Sequence, residues 1–373
     1  MGVALQKTIA FLLLIGIGVL LKKKISTKAE LKGIKALILN IALPATIFVA
    51  LLKIDIKPSL ILLPIIALII NLLLWFGATY FVKIAHLPKD SPKRRTLLLL
   101  IPSLAPGLSC FPFVAEFLGE ESLAMAAFAD VGNKVFVLII LYVVAMNWYY
   151  QLVAKQQLTI TSNNNRLKDL FVSLLKEPIN MVIVAAILML CLGFNLQNLP
   201  FFLQDSISRM SVLMTPLILL FIGIAVKVKK EELILMVQIL LWRSGFAFLI
   251  SGVILSFLPV QLPSYWPLLV VAFPQSACSF WPYAHMAAIE TLESDKPKVK
   301  TFDLTLGLNL LAFSLPFSTI IILAICSSGQ FFAQTSTVLT IGMLCIGLSL
   351  IPFISSSKKS VNNYNNAVEL SKE

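Results

Sequence analysis

The sequence predicts an all-α polytopic membrane protein. The expected plan is a ten-helix inverted repeat (5+5) with broken helices 4 and 9, plus an extra C-terminal transmembrane helix. Three observations predict it. Of 373 residues, 58% are hydrophobic and 13% charged, about half the charged share of a soluble domain. The apolar residues gather in runs long enough to cross hydrocarbon. Two of those runs carry proline breaks of similar sequence, Ser109-Cys-Phe-Pro-Phe113 and Ser279-Phe-Trp-Pro-Tyr283.

The apolar runs lie at about 4–21, 33–52, 59–84, 97–118, 123–148, 179–196, 209–226, 233–258, 265–289, 303–326 and 335–354. The first runs into Lys22-Lys-Lys24 without a small-residue cleavage site, so it reads as a span and not a cleaved signal. Leu43-Pro44-Ala-Thr-Ile-Phe48 in span two resembles Thr215-Pro216-Leu-Ile-Leu-Leu220 in span seven. Asp130-Val-Gly-Asn133 in span five parallels Asp303, Gly307 and Asn309 in span ten. Residues 1–148 are therefore expected to form one five-helix copy and 179–326 the second. Five is odd, so the copies lie in opposite senses in the membrane. The loop at 149–178 holds a polar run, Thr159–Asn165, then apolar residues at 167, 170, 171, 174 and 175. That spacing predicts an amphipathic interfacial helix. Residues 327–355 supply the extra span, and 356–373 read as a disordered cytoplasmic tail.

The formal net charge of +12 is a loop property. Lys22, Lys23, Lys24, Lys28 and Lys32 fill the first loop, and Lys89, Lys93, Arg94 and Arg95 the third; the second holds only Lys53 and Lys57. Basic loops stay in the cytoplasm. The expected location is the cytoplasmic (inner) membrane of a bacterium, N-terminus outside and C-terminus inside, with the lipid bilayer and no nucleic acid as partner. Cys110, Cys191, Cys278, Cys326 and Cys345 show no metal spacing. With His86 and His285 the only histidines, no metal and no cofactor are expected. No Ser/His/Asp set or paired catalytic carboxylates point to an enzyme.

The breaks carry the chemistry. Pro106, Gly107, Pro112 and Pro274 interrupt helices where no water can satisfy the freed backbone, which is tolerated only beside protein or a wet cavity. Half-helix N-termini there suit a carboxylate. Ser109, Cys110, Gln275, Ser276 and Ser279 are expected around the substrate, with Asn40 and Asn309 as further cavity candidates. Asp130 and Lys134, four apart, share a helix face. Charges at membrane depth are functional by default, so the two read either as a substrate- or proton-coupling pair or as an internal ion pair. Asn133 between them is expected to bond the broken span-four backbone. Arg243 reads as a substrate anchor or a snorkelling side chain. His285 reads as a proton sensor or an interior histidine. Glu116 is a weaker candidate, and Asp303 is expected to cap span ten.

With these residues in view, the chain resembles the auxin efflux carrier family of permeases over about residues 5–325. The resemblance rests on Ile41-Ala-Leu-Pro-Ala-Thr-Ile47 after Asn40, on Ala105-Pro-Gly-Leu-Ser-Cys-Phe-Pro112, and on the Gly119-Glu-Glu121 turn. Asp130-Val-Gly-Asn133, Pro216 to Gly223, and Pro274-Gln-Ser-Ala277 complete it. Ala105 and Cys110 depart from the family's Asn and Gly, which shifts expected recognition toward Gln275, Ser276 and Ser279. The resemblance implies a core like the bile-acid symporter and sodium/proton antiporter folds, with the broken helices 4 and 9 crossing at their breaks. It also implies alternating access between scaffold and transport domains, and a small organic anion as substrate. Proton or sodium coupling and a homodimer stay open. A sodium-coupled bile-acid-like symporter and a non-transporting ligand sensor are the alternatives.

Overall fold

In hydrocarbon every backbone donor must be satisfied within the chain, and apolar runs achieve this as helices. The computed structural model describes residues 3–25, 27–52, 62–155, 178–225, 233–257, 265–293 and 300–351, and no strand occurs among them. In chain order the helices are α1 (Val3–Leu21), α2 (Lys28–Leu37), α3 (Leu43–Leu51), α4 (Leu62–Ile84), α5 (Pro92–Leu100), α6 (Pro106–Ser109), α7 (Phe111–Val135) and α8 (Leu141–Lys155). Then come α9 (Pro178–Cys191), α10 (Phe201–Val212), α11 (Met214–Ala225), α12 (Leu233–Phe257), α13 (Tyr265–Ala272), α14 (Phe280–Glu293), α15 (Leu304–Ser327) and α16 (Thr335–Ile351). Among the described residues, six helical stretches are long and apolar enough to cross a membrane, and shorter apolar helices cover Ile9–Leu21, Met181–Leu190 and Thr335–Ile351. The protein is an all-helical integral membrane protein.

Local chemistry explains the joints. Thr27 and Glu30 form a reciprocal capping box that starts α2. Pro44 has no N–H to give the carbonyl of Asn40, and a π-turn, Ile38–Ala42, joins α2 to α3 across that gap. Gly119, at φ +87, separates the short arm 111–118 from the long span that follows. Only glycine adopts that backbone at little cost, so the expected Gly-Glu-Glu turn is present.

Three boundaries differ from the sequence reading. The fourth span begins at Pro92 and not near 97, and it divides into α5, α6 and the first arm of α7. The ninth divides into α13 and α14. The seventh starts at Phe201 and not near 209, because α10 carries polar residues that the hydropathy pattern excluded. Asp205 and Arg209 satisfy one another there at 2.7 Å on an exposed face. The polar run 159–165, the amphipathic helix and the tail lie outside the described residues.

Small residues set the helix pairs. A Cβ on Gly18 would overlap the Leu220 carbonyl, and one on Gly223 would overlap the Ile15 carbonyl, so α1 and α11 touch backbone to backbone. Gly245 of α12 and Gly342 of α16 do the same; a Cβ at Gly245 would stand 2.7 Å from the Gly342 carbonyl. α16 is thereby clamped to α12. Gly223→Val is expected to cost about 1–3 kcal/mol through overpacking. A lowered thermal midpoint in detergent checks it; an unchanged midpoint would show that α1 and α11 are not in backbone contact.

Among the described residues, the buried apolar side chains form two clusters. The breaks lie where these meet: Ile101 belongs to one cluster and Leu104 to the other, as do Cys278 and Phe273.

Candidate functional site

Pro106 opens α6 and Pro112 stands in the first turn of α7. A missing N–H costs nothing at a helix start, so both prolines begin helices where the chain has already stopped. Pro274 sits in a 3₁₀ turn, Phe273–Gln275, and Ser276 at φ −53, ψ 147 turns the chain into an extended stretch. The two interruptions then satisfy each other. The Ala105 N–H donates to the Ala277 carbonyl at 2.8 Å. The Ala277 N–H donates to Ser109 Oγ at 2.9 Å, and the Ser279 N–H donates to Ser103 Oγ at 3.0 Å. The Cys278 N–H donates to Ser314 Oγ of α15 at 3.2 Å.

Arg243 ties the breaks to α12. Its Nε donates to the Ile101 carbonyl at 2.8 Å and its Nη2 to the Ser103 carbonyl at 3.1 Å and to that of Ser276. The side chain is 2% exposed and lies mid-helix, so it does not snorkel to a surface. The carbonyls it serves are the orphans left where α5 stops and the second break opens. Next to it, Ser244 Oγ donates to Gln275 Oε1 at 2.6 Å, and Gln275 Nε2 returns a bond to the Ser244 carbonyl.

Beside the breaks lies a cavity of about 210 Å³. Ala105, Pro106, Gly107 and Ser279 line it, with Asp130, Asn133 and Lys134 from α7 and Lys35 from α2. Asp130 and Lys134 are buried and 3.7 Å apart. Asn133 Nδ2 donates to Asp130 Oδ1 at 2.7 Å and to the Leu104 carbonyl at 3.0 Å. The asparagine therefore reaches the broken span-four backbone. Asn71 of α4 backs it, with Nδ2 donating to Asn133 Oδ1 at 2.8 Å. α7 can approach α4 this closely because residue 132 is glycine; a Cβ there would overlap the Pro64 carbonyl.

The cavity gathers Pro106, Gly107, Ser279, Asp130, Asn133 and Lys134 of the predicted residues. It leaves out Ser109, Cys110, Pro112, Pro274, Gln275, Ser276, Asn40, Asn309, Arg243 and His285. Ser109 bonds the Ala277 N–H and Gln275 bonds Ser244, and Ser276 Oγ donates to the Phe273 carbonyl at 2.6 Å. Asn40 is exposed on the π-turn, and Asn309 is half-buried on α15. His285 Nε2 lies 3.0 Å from the Val137 carbonyl beside a second π-turn, Phe136–Ile140, so that nitrogen carries the proton. Its ring meets Tyr142 edge-on at 5.3 Å. Asp303 caps α15 by accepting from the Leu306 N–H at 3.0 Å. Glu116 is half-buried and outside the cavity lining.

Sequence reasoning missed Lys35 and Asn71. A lysine inside the second apolar run and an asparagine inside the third are signals that could have found them, since polar groups at such depth need a reason. Among the described residues, the charged groups of the lining are Lys35, Asp130 and Lys134, which sum to one positive charge. An anion with apolar bulk suits that wall, which Leu39, Phe221 and Leu311 complete.

No family model matches the chain. The chain is similar to a protein of Methanocaldococcus jannaschii described as an uncharacterized transporter. The two are 25% identical over 203 residues, which is 53% of this chain and 60% of that relative's length.

Proposed function

We propose that the protein is a secondary carrier moving a small organic anion, such as a carboxylate, by alternating access, as in auxin efflux carrier permeases. The observation that carries the reading is the net-positive cavity seated against two broken helices whose backbones bond one another. The similarity to a protein described as a transporter supports it. Helix pairing supports the inverted repeat: α1 packs on α11, while α9 packs on α3. Reciprocal exchange of this kind is what two opposed five-helix copies require. In this reading Lys134 attracts the anion, Asp130 balances the empty site, and Asn133 holds the first break while the walls move. The lysine-rich loops lie on the cytoplasmic side. An inside-negative membrane potential suffices to drive efflux of an anion.

Flux of a panel of radiolabelled carboxylates into proteoliposomes under an imposed potential tests the reading. Saturable, potential-sensitive flux of at least one acid is expected. Its absence for the whole panel, with folded protein, would sink the proposal. The neutral pair Asp130→Asn/Lys134→Gln avoids stranding a lone buried charge. It is expected to fold and to lose roughly tenfold or more of the flux, about 1.4 kcal/mol in the limiting step. Unchanged flux would mark the pair as structural only.

A further inference from the structure

Lys35 carries the net charge of the cavity. Lys134 stands 3.7 Å from Asp130, so in the empty site that pair is balanced and Lys35 is the charge in excess. Lys35 is in the last turn of α2, half-buried, and lines the cavity beside the residues that follow the second break. Its ammonium sits 4.6 Å from the centroid of the Phe280 ring. Phe280 is the first residue of α14 and is 50% exposed, although it is a large aromatic beside a buried break. Its other ring neighbour is Tyr283 at 5.8 Å.

A cation over an aromatic face is held by the ring quadrupole alone. A carboxylate offers a full opposite charge and charge-assisted hydrogen bonds, so it outcompetes the ring. Lysine's flexible four-carbon stem lets the ammonium leave the ring without moving α2. An anion that takes Lys35 while lying against Ser279 and Trp281, which also line the cavity, would join α2 to the start of α14. The empty site already links the two helices through Lys35 and Phe280, so occupancy would replace that contact with one made through the anion.

We propose that Lys35 is a second substrate-facing cation, parked on the Phe280 ring in this state and handed to the anion when the cavity fills. Phe280 then sets affinity through its competition for the ammonium. The inference rests on the anion-carrier reading and adds to it a specificity-determining residue and a sign for each substitution at position 280.

The test uses the full-length protein, with trinitrobenzenesulfonate labelling of Lys35 followed by peptide mass spectrometry, and succinate as the probe anion. Relative to the unaltered protein, Phe280→Leu is expected to speed labelling about threefold or more and Phe280→Trp to slow it, since tryptophan is the best cation–π partner. Succinate is expected to protect Lys35, at lower concentration in Phe280→Leu and higher in Phe280→Trp. In proteoliposomes Lys35→Gln is expected to raise the KM for succinate roughly tenfold while the maximal rate changes far less, and Lys35→Arg to retain most affinity. Equal labelling rates in both Phe280 variants would overturn the parking. Failure of succinate to protect Lys35 would overturn its substrate-facing role. Protection without flux would leave this inference standing and count against the carrier reading.

Discussion

Arg243→Met is expected to be among the most damaging single changes in the protein. The guanidinium serves three carbonyls, those of Ile101, Ser103 and Ser276, in a place closed to water. An unsatisfied buried acceptor costs about 1–3 kcal/mol. Stranding these three is therefore expected to cost roughly 3 kcal/mol or more, a large part of the 5–15 kcal/mol typical of folded domains. Arg243→Lys is expected to rescue only part, because one ammonium cannot span both breaks as a planar fork does. Thermal midpoints in detergent, measured beside flux, check this. A substrate anchor would behave differently: Arg243→Lys would keep the midpoint and shift only the KM. A midpoint unchanged in Arg243→Met would refute the strut role.

Gly132→Val is expected to be nearly as severe. The added carbon would overlap the Pro64 carbonyl and stand 2.9 Å from the Pro64 Cα. Both are backbone atoms, so no rotamer change relieves the clash, and α4 must move away from α7. Overpacking of this kind costs about 1–3 kcal/mol. The functional cost is larger, because the 2.8 Å bond from Asn71 to Asn133 breaks, and with it the support of the Leu104 carbonyl. Flux is expected to fall to background while some folded protein survives. Gly107→Ala makes the control. Its Cβ would meet only a methyl of Leu43 at 2.9 Å, a flexible side-chain end, so near-normal stability is expected. Equal tolerance at both positions would show that α4 and α7 are not in backbone contact.

Much of the fold was legible in the chain. Hydropathy marks the spans because hydrocarbon admits only satisfied helices. The prolines of the fourth and ninth runs mark the breaks because a residue without N–H cannot sit inside a helix unpunished. The site was legible in part. Asp130, Asn133 and Lys134 stand out as polar residues three and four apart on one helix face. Lys35 and Asn71 escaped because neither lies near a break or pairs with another polar residue three or four positions away in its run. Ser109 and Gln275 were readable as polar groups near the breaks, yet their partners, Ala277 and Ser244, lie far away in sequence.

The sequence by itself determined that this is a helical membrane protein with two interrupted spans and charge buried beside one of them. Those properties follow from local composition, which sets what each segment can do in hydrocarbon. Only the tertiary structure decided how the interruptions are satisfied. Arg243, which as a sequence feature suits an anion anchor or a snorkelling side chain, spends its donors on three backbone carbonyls. Lys35, which has no sequence neighbour to announce it, supplies the cavity's net charge. Hydrogen-bond partnership is a property of distance in space, and α2, α7, α12 and the two breaks meet only after the chain has folded.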